Sequence, residues 1–193
     1  WGEEIDSYFE VSSVGLPKGM INRKDEEPKS KDDWGNVVSE IINNSPLFDI
    51  EISASPFVFG DCDIEVIVKA LENVDGEYNI VIAITEDSIV DWQKNGSYDD
   101  SSYVHNHVLR AIINNTWGEN LKSSNNYIAN EEINLSYNIS VSSLEQFNIN
   151  HSTNELFMGN GNTGAWDTNK LNIVAYIYNV DNKEIIQVEE LHL

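Results

Sequence analysis

From about residue 48 onward the apolar residues of this chain recur at every second position, and that spacing decides the fold class. Ile133, Leu135, Tyr137, Ile139 and Val141 alternate with Asn134, Ser136, Asn138 and Ser140. A strand sends successive side chains to opposite faces, so such a run offers one face to a core and the other to water. Ile50, Ile52 and Ala54 alternate with Glu51 and Ser53, and Ile64, Val66, Val68 and Ala70 follow the same rule, with Ile67 out of step. Tyr78, Ile80, Ile82 and Ile84 form another run, in which Val81 and Ala83 imply partial burial of the second face. Leu171 to Tyr178 is apolar on both faces, as a central strand is, and Ile185 to Leu191 follows it across an Asp181-Asn182 turn. Val108 to Ile113 reads as one more strand. Many strands, turn residues between them and little helical period predict a mainly β chain. The expectation is an antiparallel β-sandwich of immunoglobulin or jelly-roll type over residues 48–193.

Residues 1–47 follow a different rule. Ile5, Tyr8 and Phe9 stand at i, i+3 and i+4, which fits the last turns of a helix. Gly15-Leu16-Pro17-Lys18-Gly19 then leads into Met20 to Arg23, expected as a short strand. Asp32 or Asp33 is placed to cap a helix whose apolar stripe is Trp34, Val37, Val38, Ile41 and Ile42, and Asn43 to Pro46 stop it. The chain therefore divides into a small α/β piece, 1–47, and the sandwich, 48–193. Within the sandwich, 86–103 and 115–131 read as long polar connections, a kind of loop that is usually functional or mobile.

Charge excludes whole classes of partner. The 33 acidic residues outnumber 11 basic ones, for a net charge of -22. Nucleic acid is excluded, because binding phosphates requires Lys and Arg to displace condensed counterions. Docking on an anionic membrane surface is excluded on the same ground. No apolar run approaches the roughly 20 residues that span a bilayer. The single cysteine, Cys62, leaves no internal disulfide and no zinc site built on two thiolates.

The residues able to carry chemistry are few. His105 and His107, if they lie on one strand, project to the same face and could meet one metal ion. Asp99 and Asp100, like Asp61, Asp63, Glu86, Asp87 and Asp181, fall at apparent strand ends, where carboxylates supply the oxygens that calcium takes. The plainer reading is histidines that hydrogen-bond loops and acids that form a solvated surface. Calcium is the one cofactor considered. Cys62 stands between two aspartates whose charge raises a thiol pKa, so it is expected to be passive. No nucleophile elbow is present, and Gly159 to Gly164 is expected as a flexible turn. No catalytic residue is assigned; a glycan hydrolase using paired carboxylates is the enzymatic alternative. Trp92, Tyr98, Tyr103 and Trp117, with Tyr127 and Trp166, lie in or beside the long connections. They either form a contact platform for a protein or glycan or cover the open ends of the sandwich. Arg110, one of two arginines, is expected to pair with a carboxylate.

Three stretches carry a resemblance: Tyr103-Val104-His105-Asn106-His107-Val108-Leu109-Arg110 with Thr116-Trp117-Gly118-Glu119; the ending Leu171 to Asn179 with Lys183 to Glu189; and Ile84-Thr85-Glu86-Asp87. Together they resemble the outer-membrane protein 28 family of Bacteroidetes surface lipoproteins. Members of that family join a thioredoxin-like domain to a C-terminal β-sandwich and reach the envelope behind a lipidated leader. The resemblance implies that residues 1–47 are the end of a thioredoxin fold, with Pro17 a candidate cis-proline and the 33–43 helix that fold's last. No Cys-x-x-Cys precedes Pro17. The chain then corresponds to a fragment, anchored at the bacterial outer membrane through a lipidated N-terminus outside it. The resemblance implies location and architecture rather than mechanism; the sandwich, its long aromatic-bearing connections and its acidity without catalytic spacing lead to the expectation of a non-catalytic interaction module, adhesive or otherwise, engaging protein or glycan at the envelope or a host surface. The alternative is an accessory, partner-selecting domain of an envelope thiol-disulfide protein.

Overall fold

The structure is a computed structural model that describes residues 1–14, 18–154 and 166–193. Pro17 and the Gly159–Gly164 run lie outside the described residues. The N-terminal piece contains α1 (Gly2–Phe9), two short strands β1 (Lys18–Gly19) and β2 (Lys29–Ser30), and α2 (Trp34–Ile41). The strands that follow are β3 (Phe48–Ala54), β4 (Asp61–Ala70), β5 (Val74–Asp75), β6 (Tyr78–Glu86), β7 (Ile89–Asn95), β8 (Tyr98–His105) and β9 (Val108–Ile112). Then come β10 (Glu119–Asn120), β11 (Asn126–Tyr127), β12 (Glu132–Ser140), α3 (Val141–Asn154), β13 (Leu171–Asn179) and β14 (Ile185–His192).

Two antiparallel sheets face each other. One runs β12-β4-β3; the other runs β14-β13-β6, with β9 and β10 sharing the far edge of β6. The expected alternation holds on β4, where Cys62, Ile64, Val66, Val68 and Ala70 are buried and Asp61, Asp63 and Glu65 are exposed. These side chains meet Ile80, Ile82 and Ile84 of β6 and Leu171, Ile173 and Ile177 of β13 in one core. Burying an aliphatic side chain of this size stabilises by about 1.5–3 kcal/mol. β6 and β13, apolar on both faces in the sequence, are the strands of the five-stranded sheet with a neighbour on each side. Their outer residues belong to a second cluster, in which Val81, Ala83, Ile112 and Tyr178 pack with Ile5, Trp117 and Tyr176. Trp1 and Ile5 of the N-terminal piece thus bring a third layer over the outside of the five-stranded sheet.

Several expectations change on contact with this packing. Met20 to Arg23 is not a strand: pairing stops at Gly19, and Asn22 and Arg23 take left-handed backbone (φ +51° and +54°) that no strand permits. The 34–41 helix forms, but Asp33 makes no capping side-chain bond. None of its stripe is buried, and Ile42 is 75% exposed. Val141 does not close a strand but opens α3, whose Leu144 packs on the core. The 86–103 connection is largely the β7–β8 hairpin, and 115–131 contains β10 and β11, which pair with β6 and β5. Asp99 and Asp100 lie inside β8 rather than at a strand end.

Aromatic and charged groups close the ends of the sandwich. Phe48, Tyr78 and Tyr127 meet edge-on with centroids 5.1–5.7 Å apart, and burial pushes the Tyr127 hydroxyl pKa up to about 12. At the opposite end of β6, Arg110 Nε lies 3.2 Å from Glu86 Oε2, the expected carboxylate partner, under the ring of Trp166. Gly118 turns the chain where it crosses β6, at φ +65°, and a Cβ there would collide with the Ile80 carbonyl. Gly118→Ala is therefore expected to destabilise the fold by about 3 kcal/mol, from left-handed strain plus overpacking. Urea unfolding measures this; a midpoint equal to that of the parent would contradict the assigned contact.

Candidate functional site: a kinked hairpin arm

The β6–β9 ladder does not end where the sandwich ends. Glu86 pairs with Val108, and three residues further on Ile89 pairs with His105, so β7 and β8 continue the same ladder outward. Between the two parts Ser88 (φ +59°) and His107 (φ +53°) both adopt left-handed backbone, one on each strand. The ribbon therefore swings off the line of the sheet, and among the described residues β7 and β8 pair with each other and with no further strand.

A two-stranded ribbon alone is marginally stable in water, so its base has to be held. Asp87 does most of this. One carboxylate oxygen accepts the His107 backbone N–H at 2.7 Å, and the other accepts the Asn172 side-chain amide at 3.0 Å. Across the kink the Ser88 N–H donates to the Asn106 side-chain oxygen at 3.0 Å. The His107 ring stands between two carboxylates, 3.6 Å from Asp87 and 3.3 Å from Glu190.

Pairing register sorts the side chains of the arm. Gln93 pairs with Asp100 and Asp91 with Tyr103, so β8 carries one extra residue at a bulge. Val90, Trp92 and Val104 share one face; Asp91, Tyr103 and His105 share the other, with the Tyr103 and His105 rings edge-on at 4.8 Å. The first face is an open apolar strip: Trp92 is 67% and Val90 62% exposed, and nearly half of Val104 is accessible. Tyr98 and Tyr103 are also exposed. The structure thus brings Trp92, Tyr98 and Tyr103 onto one element.

It does not bring the four metal candidates together. Asp99 and Asp100 are successive strand residues on opposite faces, and Asp100 and His105 are five residues, about 17 Å, apart along β8. His105 ends β8 while His107 lies beyond the turn, so the two are not i and i+2 of one strand. Among the described residues no group of three or more His, Cys, Asp or Glu side chains is placed to hold a metal ion. Trp117 is separate from the arm, half-buried against Tyr8 and Phe9 on the outside of the five-stranded sheet. Tyr127 and Trp166 are buried end caps. Cys62 is buried and bonded to the Ser55 carbonyl; burial, more than the charge of Asp63, pushes its thiol pKa up. Sequence reasoning missed the arm as a strand pair, although Gly96-Ser97 between two runs of strand-forming residues was a turn signal.

Fold and arm together define a two-sheet β-sandwich with a covering N-terminal layer and a ribbon that carries exposed aromatics. The family described as outer membrane protein Omp28 matches residues 3–153, and the chain belongs to that family. This places it at the bacterial outer membrane, in a family of surface proteins with no known catalytic role. A domain of the outer membrane lipoprotein Omp28 from Porphyromonas gingivalis is 17% identical, with 77% of this chain and 88% of that one covered and a TM-score of 0.47. HBP35 of Porphyromonas gingivalis is 10% identical at a TM-score of 0.56, a likeness of fold. The match covers 82% of this chain but 45% of HBP35, so the chain spans less than half of that protein. β-Glucosidase 3B from Thermotoga neapolitana, solved with glucose, is 9% identical over 96% of this chain and 23% of its own, at a TM-score of 0.34. No curated protein matches the sequence. No helix among the described residues is long and apolar enough to cross a membrane.

The bonds that Asp87 accepts, first from the His107 N–H and then from Asn172, hold its carboxyl below the usual carboxylate range. A depressed folded pKa stabilises above the unfolded value of about 4 and is lost as pH falls through the folded one. Asp87→Asn should accordingly lower the melting temperature most at neutral pH, with the gap to the parent closing below about pH 4. Melting curves of both proteins across pH 2.5–7 decide it, and a gap independent of pH would remove Asp87 as the ionised clamp.

Proposed function

We propose that this chain is a non-catalytic interaction module of an outer-membrane protein, and that it engages its partner, a protein or glycan at the envelope or a host surface, through the β7–β8 arm. One observation carries the reading: a ribbon that among the described residues pairs only with itself exposes Trp92, Val90 and Val104 on one face. An open apolar strip with a large aromatic at its centre is the kind of surface that gains most from being covered. Its position beyond a kink, clamped at the base by Asp87, carries that strip off the line of the sheet. Neither His105 and His107 nor Asp99 and Asp100 is needed for this role, and calcium would act through the arm's carboxylates only if it bridged to the partner.

A second reading rests on the order of elements in residues 1–47. Helix, two short antiparallel strands and helix follow the order of the last part of a thioredoxin fold. This supports the chain as an accessory domain beside a thiol-disulfide domain. The one thiol present is buried, so redox chemistry would be supplied by other residues.

Trp92→Ala tests the arm. Its ring is exposed, so the unfolding midpoint should stay within about 0.5 kcal/mol of the parent. Loss of a central aromatic anchor should cost about 2 kcal/mol of binding, roughly a thirtyfold rise in Kd. Immobilised parent and variant are compared for saturable capture of purified envelope proteins, host matrix proteins and glycans, with calcium and with chelator. Capture that Trp92→Ala leaves intact would place the contact elsewhere, and loss under chelator would assign the carboxylates a metal.

A further inference from the structure

Arg23 and Glu86 are the buried charged residues among those described. Glu86 meets Arg110, but no carboxylate among the described residues pairs with Arg23. Its guanidinium carbon sits 5.2–5.7 Å from the ring centroids of Phe9, Trp117, Tyr176 and Tyr178. Nη2 donates to the Tyr176 hydroxyl at 3.0 Å, while Nη1 is buried with no acceptor. A ring of π faces around a cation is a recognition device, because each face presents the negative part of the ring quadrupole.

Three of the four walls belong to the sandwich and are fixed without Arg23. Tyr176 and Tyr178 stand at i and i+2 on β13 and share its outer face. The Tyr178 hydroxyl donates to the Trp117 carbonyl at 2.7 Å, and the Asn79 amide donates to that carbonyl and to the Tyr178 oxygen at 3.0 and 3.1 Å. Phe9 and the cation arrive with the N-terminal layer. The loop that delivers the cation is strained: Asn22, Arg23, Asp25 and Glu26 take φ values of +51°, +54°, +59° and +52°. None is glycine, so each holds an unfavourable backbone for as long as the plug is seated. The strongly acidic chain draws cations toward its surface as well.

We propose that this cage is a binding site for a guanidinium cation, closed by the chain's own Arg23, and that an arginine side chain of a partner protein takes its place and releases the 22–26 loop. The occupant in cis has the advantage of effective concentration, so a free ligand binds the parent weakly and binds a vacated cage better.

The probe is methylguanidinium chloride against equal concentrations of sodium chloride, with the full chain, Arg23→Ala and Arg23→Ala/Trp117→Leu. Tryptophan fluorescence should show saturable binding to Arg23→Ala at least tenfold tighter than to the parent, and none to the double variant. In the parent, amide exchange over 22–26 should rise as the probe binds, with β6 and β13 unchanged. If Arg23→Ala does not fold in sodium chloride, it should fold when methylguanidinium is present. A response equal to that in sodium chloride, equal binding to the double variant, no change in exchange over 22–26, or failure to fold in both salts would overturn the proposal.

Discussion

Burial of β6 and β13 on both faces is the constraint from which the rest of this structure follows. Each strand pairs on both sides, and each carries apolar side chains inward and outward. The inward set needs a second sheet, and β12-β4-β3 supplies it. The outward set would be an apolar patch on a surface otherwise dominated by carboxylates, so a third layer has to cover it. Trp1, Ile5, Phe9 and Arg23 of the N-terminal piece belong to that layer. Trp1 and Ile5 reach the outer cluster, Thr116 donates to Glu4, and the Ile185 N–H donates to the Asn22 carbonyl at 2.8 Å. The division into a small piece and a sandwich is therefore a division in sequence pattern, while the outer cluster draws on both.

The buried charges mark where the layers are fastened, and they are neutralised differently. Glu86 sits where the sandwich ends and the arm begins. It takes Arg110 as its ion partner and accepts the Asp167 N–H at 3.1 Å. A charge pair of this kind breaks at high cost when one partner is lost, because the other is left stranded. Arg23 lies between the second and third layers and is met by ring faces. Such contacts are weaker singly and less directional than an ion pair, so they hold a layer in place without fixing it as rigidly.

How much of this could be read in advance depends on burial. The period-two runs at Ile64–Ala70, Tyr78–Ile84 and Leu171–Tyr178 were legible because a core selects apolar residues at fixed positions, and two-sided runs marked the central strands. β12 shows the limit of that signal. Its alternation is the cleanest in the chain, yet it is an edge strand whose Ile133, Leu135 and Tyr137 are only half-buried. The α3 helix was hidden by polar composition, although Val141, Leu144, Phe147 and His151 fall at helical spacing. The amphipathic stripe of α2 was legible as a helix and misleading as a burial pattern, since nothing described covers Val38 or Ile42.

The arm was illegible for the same reason that it matters. β7 and β8 have no core face, so no selection for alternation acts on them, and 86–103 reads as a polar connection. What holds them is local: a ladder continued from β6 and β9, and a carboxylate at Asp87 that ties the turn at His107 to Asn172 of β13. Sequence periodicity reports burial, so it finds the scaffold and passes over surfaces kept for other molecules. Trp92 was singled out as an aromatic in a polar stretch, which is a signal of composition rather than period. Trp117 carries the same compositional signal and forms a wall of the cage around Arg23. Telling those two cases apart required the second strand of the arm and the guanidinium in the cage, neither of which leaves a periodic trace.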